Sequence, residues 1–554
     1  MRMSMLAAVG CALLVCLWAG ASAQNWREPV PVDPGRHAGF STAGARAIVA
    51  RTPDLAHAVY SDNDFSRVYY ARSSDQGETW NSEPVSPDGK VCRYPAIDVP
   101  RNGADEPHFV WVEPRDGYYG DIWYRSPTGS LTLLSELTGP FAVVHGYPAV
   151  AVSGTGDLVV ALWWAMASRS APWFYSLRYR RSTDGGVSWG EEQALCETQW
   201  YELLLPPSLA FGAGEEGEVL HATWFRWHAL VSFYWHQRSL DGGATWEEPT
   251  LLWSAATDEP PMDSPGSPGP VVAANAGGRV DIAWVHLGEI DINWLYVISS
   301  TDYGTSWQEE PVLIAGPEMY PGEAVVETEG RQVSYLVWHE YEEEVPTRLK
   351  YSRSVGFEAG WSAPAELPLP DWGSARQSPR LTVDSKSSLH LIWLDNVTGQ
   401  NEVYSLWGQQ MLSGSEHATC PNRGRKLARV PNSQEFNAVY QDNGNVFYTY
   451  SVDNGATWAQ PEFVGQGYDP ALALNESYGG PVPILTPWVV YRTGDGAIER
   501  AIRQGPGEWS HALVFSQSGM YAGAPTLAPS GPPHVVAPFA HVAYPVYVGE
   551  SPDH

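Results

Sequence analysis

Positive charge is scarce in this sequence of 554 residues. Its 33 lysine and arginine residues stand against 63 aspartate and glutamate residues, which gives a formal net charge of −30. A chain this acidic repels nucleic acid and anionic membrane surfaces. We therefore expect neither of them as a partner.

Long apolar runs are missing beyond the N-terminus. There, Arg2 precedes an apolar run over residues 6–18 and the small residues Ala-Ser-Ala at 21–23, which is the pattern of a secretory signal peptide. A lipoprotein anchor on Cys11 or Cys16 is the alternative. No later stretch approaches the roughly 18 apolar residues of a membrane span. We expect a signal peptide over 1–23 and a secreted or periplasmic chain over 24–554.

Cysteine is scarce as well. Of the five cysteines, two lie inside the predicted signal peptide, which leaves Cys92, Cys196 and Cys420. An odd number cannot form a closed disulfide framework. The chain is expected to hold either one bridge and a free thiol or three buried thiols.

Aromatic residues are plentiful, with 26 tryptophans and 28 tyrosines, and some of them belong to a repeated pattern. The pattern SxDxGx[ST]W occurs five times, at 73–80, 182–189, 239–246, 300–307 and 451–458. Its serine and aspartate can bond backbone amides in a tight turn, its glycine tolerates a positive φ, and its tryptophan opens the next strand. We predict hairpin turns at these five places, called the repeat turns below. Their aspartates and tryptophans are Asp75, Asp184, Asp241, Asp302, Asp453, Trp80, Trp189, Trp246, Trp307 and Trp458.

The repeat turns resemble the Asp box, or BNR repeat, of the sialidase-like β-propellers, and the resemblance implies an all-β fold. Short runs that alternate between apolar and polar residues also indicate strands. The spacings from Asp184 to Asp241 and from Asp241 to Asp302 are 57 and 61 residues, and the longer gaps are about two and three times as long. We predict a β-propeller of about ten four-stranded blades over 24–554, as one ring or as two smaller rings. The blade count resembles that of the ten-bladed sortilin-type receptors.

The first residues of the mature chain are expected to close the ring. Residues 25–29, Asn-Trp-Arg-Glu-Pro, match residues 245–249, Thr-Trp-Glu-Glu-Pro, which form the outer strand after a repeat turn. The last repeat stops after three strands. We predict that the N-terminal strand completes this last blade and so removes an exposed edge.

Candidate ligand-binding residues follow from the resemblance, because in sialidase-like propellers the binding site lies on the face opposite the Asp boxes. The loops between second and third strands reach that face. Flat aromatics beside an arginine suit stacking on sugar rings. We predict ligand binding by Glu113, Asp116, Trp224, Arg226 and Trp227.

Candidate catalytic residues also rest on the resemblance. A sialidase uses three arginines for the substrate carboxylate and a tyrosine nucleophile activated by a glutamate. Arg93 in Arg93-Tyr94-Pro95 is similar to the arginine of the family's Arg-Ile-Pro motif, and Glu340 with Tyr341 offers a nucleophile pair. Two alternatives stay open, because Tyr-Pro recurs at 147–148 as a blade consensus and residues 340–344 also suit an acidic surface loop.

No cofactor is required by the pattern, although calcium remains an option at Asp62-Asn63-Asp64 and Asp442-Asn443-Gly444. Neither segment forms a twelve-residue loop ending in glutamate. The sequence favours an exported platform that recognises a glycan or an extracellular protein. The alternative is an exo-acting, sialidase-like glycoside hydrolase, which three arginines converging in one pocket would support.

Overall fold

A computed structural model of the chain describes most residues after the N-terminal segment. The residues described are 24–36, 38–39, 46–52, 54–62, 66–102, 104–116, 119–135, 143–167, 174–198, 202–214, 217–257, 269–275, 277–287, 293–329, 333–342, 345–355, 360–367, 369–370, 375–384, 388–397, 399–410, 426–430, 433–442, 444–452, 458–459, 461–477, 484–517, 520–522, 524–529, 540–544 and 546–548. The predicted signal peptide over 1–23 and Cys420 lie outside them.

The chain is an all-β propeller in which consecutive strands pair antiparallel. After β1 (Gln24–Trp26) and β2 (Val30–Pro31), sheet 1 contains β3 (Ala38–Gly39), β4 (Ile48–Thr52), β5 (Leu55–Asp62), β6 (Val68–Ser73) and β7 (Asn81–Pro84). Sheet 2 contains β8 (Arg93–Asp98), β9 (His108–Asp116), β10 (Tyr119–Arg125) and β11 (Leu131–Leu133). Sheet 3 contains β12 (Val144–Val152), β13 (Val159–Met166), β14 (Tyr175–Ser182) and β15 (Gln193–Glu197).

Four more sheets follow in the same order. Sheet 4 contains β16 (Leu203–Leu204), β17 (Ser208–Ala213), β18 (Glu218–His228), β19 (Val231–Ser239) and β20 (Thr250–Ala256). Sheet 5 contains β21 (Val271–Ala274), β22 (Val280–Leu287), β23 (Asn293–Ser300) and β24 (Val312–Ala315). A short 3-10 helix, Pro317–Met319, leads into sheet 6, which contains β25 (Pro321–Glu329), β26 (Val333–Glu342), β27 (Val345–Val355) and β28 (Ala365–Glu366). Sheet 7 contains β29 (Arg376–Val383), β30 (Leu389–Asp395) and β31 (Glu402–Gln410).

The C-terminal part adds further sheets. Sheet 8 contains β32 (Leu427–Arg429), β33 (Phe436–Asp442), β34 (Asn445–Ser451) and β35 (Glu462–Gln466). Sheet 9 contains β36 (Tyr468–Ser477), β37 (Ile484–Arg492), β38 (Ile498–Gly505) and β39 (Glu508–Phe515). Two strand pairs end the chain: β40 (Met520–Ala522) with β43 (Val546–Val548), and β41 (Thr526–Pro529) with β42 (Ala540–Ala543). Within the described residues, no helix is long and apolar enough to cross a membrane.

Sheets 1 to 7 close into a ring. Going round it, β4 packs on β8, then come β12, β17, β21, β25 and β29, and β29 packs back on β4. The prediction of about ten blades in one ring or two smaller rings therefore differs from the arrangement found, in which one ring closes after seven sheets. Sheet 8 contacts the ring from outside, since Tyr440 and Phe447 pack with Tyr335 of sheet 6 and Arg353 forms a buried ion pair with Asp442.

The N-terminal strand completes sheet 7, so the prediction that it completes the last blade is wrong. Strand β1 pairs with β31, with Gln24 opposite Gln410 and Trp26 opposite Gly408. Sheet 7 has three strands of its own in the described chain and accepts β1 as its outer strand. The indole of Trp80 in sheet 1 donates a hydrogen bond to Ser405 Oγ at 2.9 Å, which ties the two ends of the ring together.

The core of the ring repeats one tryptophan. The second strand of six sheets carries a buried tryptophan at the matching place: Trp111, Trp163, Trp224, Trp284, Trp338 and Trp393. Each of these indole side chains fills the space between neighbouring sheets and buries more apolar surface than a smaller side chain could. This tryptophan is the reference point for comparing the sheets below.

The repeat turns have the geometry that their residue types predict. In the first, Asp75 Oδ1 accepts hydrogen bonds from the Thr79 amide at 2.9 Å and from Ser73 Oγ at 2.8 Å, and Ser73 Oγ accepts one from the Gly77 amide at 2.8 Å. The turns at Asp184, Asp241 and Asp302 share this network. Hydrogen bonds from Ser188 lower the pKa of Asp184 to about 2. Asp453 lies outside the described residues.

A buried ion network fixes the axis of the ring. Asp98 of sheet 2 accepts hydrogen bonds from Arg46 at 3.1 Å and Arg51 at 2.7 Å, both from sheet 1, and from the Val152 amide of sheet 3 at 2.8 Å. Arg46 also bonds Glu327 of sheet 6 at 2.7 Å. Burial alone would raise the pKa of Asp98, but the charges of Arg46 and Arg51 outweigh it and lower that pKa. Four sheets therefore meet at one set of charges.

Buried histidines make the stability of the chain depend on pH. His57 Nδ1 lies 2.8 Å from the Tyr70 hydroxyl, and His108 Nδ1 lies 2.7 Å from the Tyr124 hydroxyl. Burial lowers the pKa of each imidazole to about 4. Between pH 6.5 and 4 the unfolded chain therefore binds a proton at each position that the folded chain does not bind. As the pH falls through this window, the free energy of unfolding should decrease by about 1.4 kcal/mol per pH unit for each histidine.

Urea unfolding at pH 7, 6 and 5 checks this expectation. His108→Gln should reduce the slope of the free energy of unfolding against pH by the contribution of one proton. The control is His228→Gln, which replaces an exposed imidazole on a hairpin, 4.0 Å from Glu202, instead of a buried one. Equal free energies of unfolding at pH 7 and pH 5 would contradict this account of the buried histidines.

Cys92 is buried and Cys196 is half-buried, and both are free thiols. Burial raises the pKa of each to about 11, so both are protonated and unreactive at neutral pH.

Candidate functional site

One face of the ring collects the ends of the second strands and the starts of the third strands. The repeat turns lie on the other face, where they contact the turns between first and second strands; the Gln76 amide, for example, donates to the Asp54 carbonyl at 3.4 Å. We call the face opposite the repeat turns the rim face. It is the face on which ligand binding was predicted.

The core tryptophans show which side chains reach the rim face in equivalent positions. Two residues after the tryptophan, five sheets carry a polar residue: Glu113, Arg226, His286, Glu340 and Asp395. Each has a partner from its own chain. The partners are Lys90 for Glu113, Glu202 for Arg226, the Tyr234 hydroxyl at 3.3 Å for His286, Lys350 at 3.7 Å for Glu340 and Arg376 at 3.3 Å for Asp395. The rim face is therefore polar at a repeated position, with its charges largely paired.

Sheet 6 departs from the other sheets at the residue directly after its tryptophan. Sheets 2 to 5 and 7 place buried apolar residues there, namely Val112, Trp164, Phe225, Val285 and Leu394. Sheet 6 places His339, which is only 4% exposed, and neither of its ring nitrogens has a hydrogen-bond partner among the described residues. Buried polar groups without partners are rare in folded proteins and call for a ligand, a water or another explanation.

The surroundings of His339 are built to hold an imidazole. A Cβ on Gly322 of β25 would collide with the His339 ring, so glycine is needed at that position. The ring of Tyr341 packs edge-on against His339 at 4.9 Å between centroids. Burial lowers the pKa of His339 to about 4, with the charge of Glu323 opposing the shift only in part. At neutral pH this imidazole is uncharged and offers one donor and one acceptor.

Glu340 and Tyr341 sit beside His339 at the end of β26. Burial raises the pKa of Glu340, although the charges of Lys350 and Arg348 and hydrogen bonds from Trp338 and Lys350 oppose the shift, and Glu340 lies on the opposite face of β26 from His339 and Tyr341. Tyr341 is 38% exposed and presents part of its ring to solvent. Burial and the charge of Glu323 raise the pKa of Tyr341. The site thus combines an exposed aromatic ring with unpartnered donor and acceptor atoms just behind it.

Half-buried tryptophans extend this site across sheets 4 and 5. The Trp227 indole donates to Thr257 Oγ1 at 3.0 Å, Trp253 packs against His286 at 5.2 Å and Trp294 stacks on His286 at 5.9 Å. Asn293 of sheet 5 donates to the Pro321 carbonyl at the start of sheet 6, at 3.2 Å. Half-buried tryptophans therefore surround His286, and a hydrogen bond joins sheet 5 to the start of sheet 6.

One of the predicted ligand-binding residues has a different place from the one expected, and the side chain of another lies outside the described part. Trp224 is 3% exposed and holds the core tryptophan position of sheet 4, so the structure corrects its assignment to ligand binding. Asp116 ends β9, and its side chain is outside the described part. Glu113, Arg226 and Trp227 do lie at the rim face.

The predicted catalytic residues are not assembled as a sialidase pocket. Arg93 begins β8 in sheet 2, whereas Glu340 and Tyr341 end the second strand of sheet 6. Glu340 faces Lys350, while Tyr341 lies with His339 over Gly322. A raised pKa also makes Tyr341 a poorer nucleophile.

Arginines near the rim face and the axis are occupied by carboxylates of the chain. Arg380 binds Glu323 at 2.8 Å, and Arg115 binds Asp121 through Nε at 2.8 Å. The same holds for Arg46, Arg51, Arg226 and Arg376. Of these guanidinium groups, Arg46 and Arg380 line one cavity between the first strands of the ring, where each is paired with a carboxylate, and the others lie elsewhere in the described chain.

The turns considered for calcium use their carboxylates internally. Asp62 Oδ1 accepts hydrogen bonds from the amides of Ser66 at 2.6 Å and Arg67 at 3.2 Å, and Asp442 pairs with Arg353. Residues 63, 64 and 443 lie outside the described chain. In the part that is described, no three histidine, cysteine, aspartate or glutamate side chains are grouped to hold a metal ion.

No family model matches this chain, and no curated protein matches it. Similar solved structures include the polysaccharide lyase Uly1, with 9% identity over 67% of this chain and 91% of that chain and a TM-score of 0.43. An α-L-arabinanase of Penicillium chrysogenum has 11% identity, 70% and 99% coverage and a TM-score of 0.37. The Aleuria aurantia lectin has 10% identity, 61% and 99% coverage and a TM-score of 0.34. What this chain binds has therefore to be inferred from its own side chains.

Sequence reasoning assigned no binding role to His339, Trp253 or Trp294. A signal for His339 was present, because aligning the second strands on their tryptophans leaves one histidine in a column of apolar residues. Trp253 and Trp294 carry no such mark, since only the packing of sheet 4 on sheet 5 brings both against His286.

Proposed function

We propose that this chain is an exported propeller of the sialidase-like, Asp-box type that binds a neutral glycan on its rim face. The observation that carries the proposal is the pair formed by His339 and Tyr341 on one face of β26, where the two unpartnered nitrogens of a buried imidazole lie beside an exposed aromatic ring. A sugar can contact both features of the site, because its hydroxyls pair with hydrogen-bond donors and acceptors while its C–H face stacks on an aromatic ring. The signal-peptide pattern over 1–23 supports export.

The charges of the rim face favour a neutral glycan over an acidic one. Arg226, Arg376 and Arg380 are bound by carboxylates of the chain, and Lys350 and Arg348 lie beside Glu340. An acidic sugar would need to displace these partners and approach a chain with a formal charge of −30. A neutral ligand meets neither cost.

A glycoside hydrolase is the second candidate, favoured by one observation. The raised pKa of Glu340, caused by burial, suits a carboxylic acid that protonates a leaving group. Hydrolysis of a panel of fluorogenic glycosides by the wild type, and its loss in Glu340→Gln, would establish this activity. Absence of turnover across the panel would leave recognition as the function.

Replacement of Tyr341 tests glycan binding directly. On an array of neutral and acidic glycans, the wild-type chain should retain neutral glycans, and Tyr341→Ala should weaken this binding about tenfold, the effect of the roughly 1.4 kcal/mol that an aromatic contact contributes. The matched control is Tyr468→Ala, because Tyr468 is 39% exposed but lies in sheet 9, outside the ring. The control should bind as the wild type does.

Two results would contradict the proposal. One is retention of sialylated or other acidic glycans alone, which would show that the paired arginines do open to a ligand. The other is equal binding by Tyr341→Ala and the wild type, which would move the glycan site away from sheet 6.

A further inference from the structure

A groove lies in the C-terminal sheets, apart from the rim face. It has a volume of about 750 Å³ and is formed between β35, the outer strand of sheet 8, and the outer strands of sheet 9. This volume is within the range of small-molecule sites, about 300–1,000 Å³. The residues of interest along it are Gln466, Tyr491, Thr493, Glu499, Trp509 and His511.

Three side chains in the groove form a preorganised hydrogen-bond network. Tyr491 and Glu499 face each other across β37 and β38, and the Tyr491 hydroxyl donates to Glu499 Oε2 at 2.7 Å. His511 Nδ1 lies 3.3 Å from the same hydroxyl. Burial raises the pKa of Tyr491, and the bond to Glu499 adds to the shift, so the hydroxyl remains protonated. The second oxygen of Glu499 and the far nitrogen of His511 remain for a ligand in the groove.

Two glycines let Tyr491 pack closely against the backbone of sheet 8. A Cβ on Gly465 would collide with the Tyr491 hydroxyl, and a Cβ on Gly467 would collide with the Tyr491 ring. Glycine at both positions lets the backbone of sheet 8 form one wall directly against the network. The sequence thus fixes the position of the Tyr491 ring at the wall of the groove.

The lining distinguishes among classes of ligand. Thr493 donates to Asp495, and Gln466 adds an amide with both donor and acceptor atoms. Trp509 and Phe463 supply flat apolar surface. Lysine and arginine are absent from the described lining, which disfavours a phosphate, sulfate or carboxylate. Mixed donors and acceptors beside aromatic rings suit a ligand rich in neutral hydroxyls.

We propose that the groove between sheets 8 and 9 is a second saccharide site, which binds a neutral oligosaccharide through Tyr491, Glu499 and His511. This proposal does not rest on the rim-face site, since the groove and the rim-face site share no residue. A chain with both sites would hold a polysaccharide at two places, and linked sites raise overall affinity through effective concentration.

Calorimetric titration tests the groove with cellohexaose, xylohexaose and mannohexaose as probes. The full exported chain, residues 24–554, should carry Tyr341→Ala throughout, so that rim binding does not mask the groove. At least one hexasaccharide should bind this chain. Adding Tyr491→Phe or Glu499→Gln should weaken that binding about tenfold or more, because each removes a hydrogen bond to the ligand or its positioning. Adding Glu508→Gln, an exposed carboxylate on β39 away from the lining, should not change it.

The outcomes separate this proposal from the proposed function. Binding by the wild type that Tyr341→Ala removes completely would keep the rim site and overturn the groove. Binding in the Tyr341→Ala chain that neither groove variant weakens would also overturn it. A glucosamine hexamer that binds when all three neutral probes fail would show a cation site instead, and the saccharide assignment would be wrong.

Discussion

Asp98→Ala should destabilise the ring by about 3–5 kcal/mol, the usual effect of removing one partner from a buried ion pair. Asp98 is 1% exposed, and its loss would leave Arg46 and Arg51 without their shared carboxylate and the Val152 amide without its acceptor. The remaining bond between Arg46 and Glu327 satisfies only part of this buried charge. Urea unfolding at pH 7 measures the loss.

A matched control separates this effect from the general cost of losing an aspartate. Asp105 pairs with Arg72 at 2.9 Å, but its side chain is 41% exposed. Asp105→Ala should therefore cost about 1 kcal/mol or less. Equal losses in the two variants would show that the charges at the axis are solvated, contrary to the packing of four sheets around them.

Removal of the N-terminal strand should open the ring. A chain that begins at Asp33 lacks β1 and β2, and so loses the strand pairing with β31, the Arg27–Glu78 ion pair at 2.6 Å and the stacking of Arg27 over Trp407 at 4.2 Å. The exposed edge of β31 can then pair with other chains. We expect a lower unfolding temperature and a shift from monomer to larger species in light scattering, relative to a chain that begins at Gln24.

Rescue in trans distinguishes strand loss from other damage. A synthetic peptide of residues 24–32 should add to the free edge of β31 and restore the monomer, as strand addition does at other open sheets. A scrambled peptide of the same composition should have no effect. A truncated chain that stays monomeric and unfolds at the original temperature would contradict closure of the ring through sheet 7.

Local patterns in the sequence predicted the strands and turns, and long-range packing decided the rest. The repeat turns were predictable because serine, aspartate and glycine satisfy the turn within eight residues, as the bonds to Asp75 show. The partner of the N-terminal strand was not predictable, because residues 25–29 match the outer strand of any blade. Which sheet accepts it depends on where β29 meets β4 around the axis.

The candidate site was predictable only in part for the same reason. Glu113, Arg226 and Trp227 were placed correctly on the rim face by their position after the second strand. Trp224, two residues before Arg226 on the same strand, is a core residue, and only comparison with Trp284 and Trp338 shows this. The close packing of Tyr491 at the wall of the groove needed two glycines on a neighbouring sheet, which no local pattern reveals.

The most direct measurement is a crystal structure of residues 24–554 with the neutral glycan that the array ranks highest. The proposed function predicts a sugar ring on Tyr341 with a hydroxyl bonded to His339. A glycan bound on the repeat-turn face, or one that leaves both His339 nitrogens without partners, would contradict it.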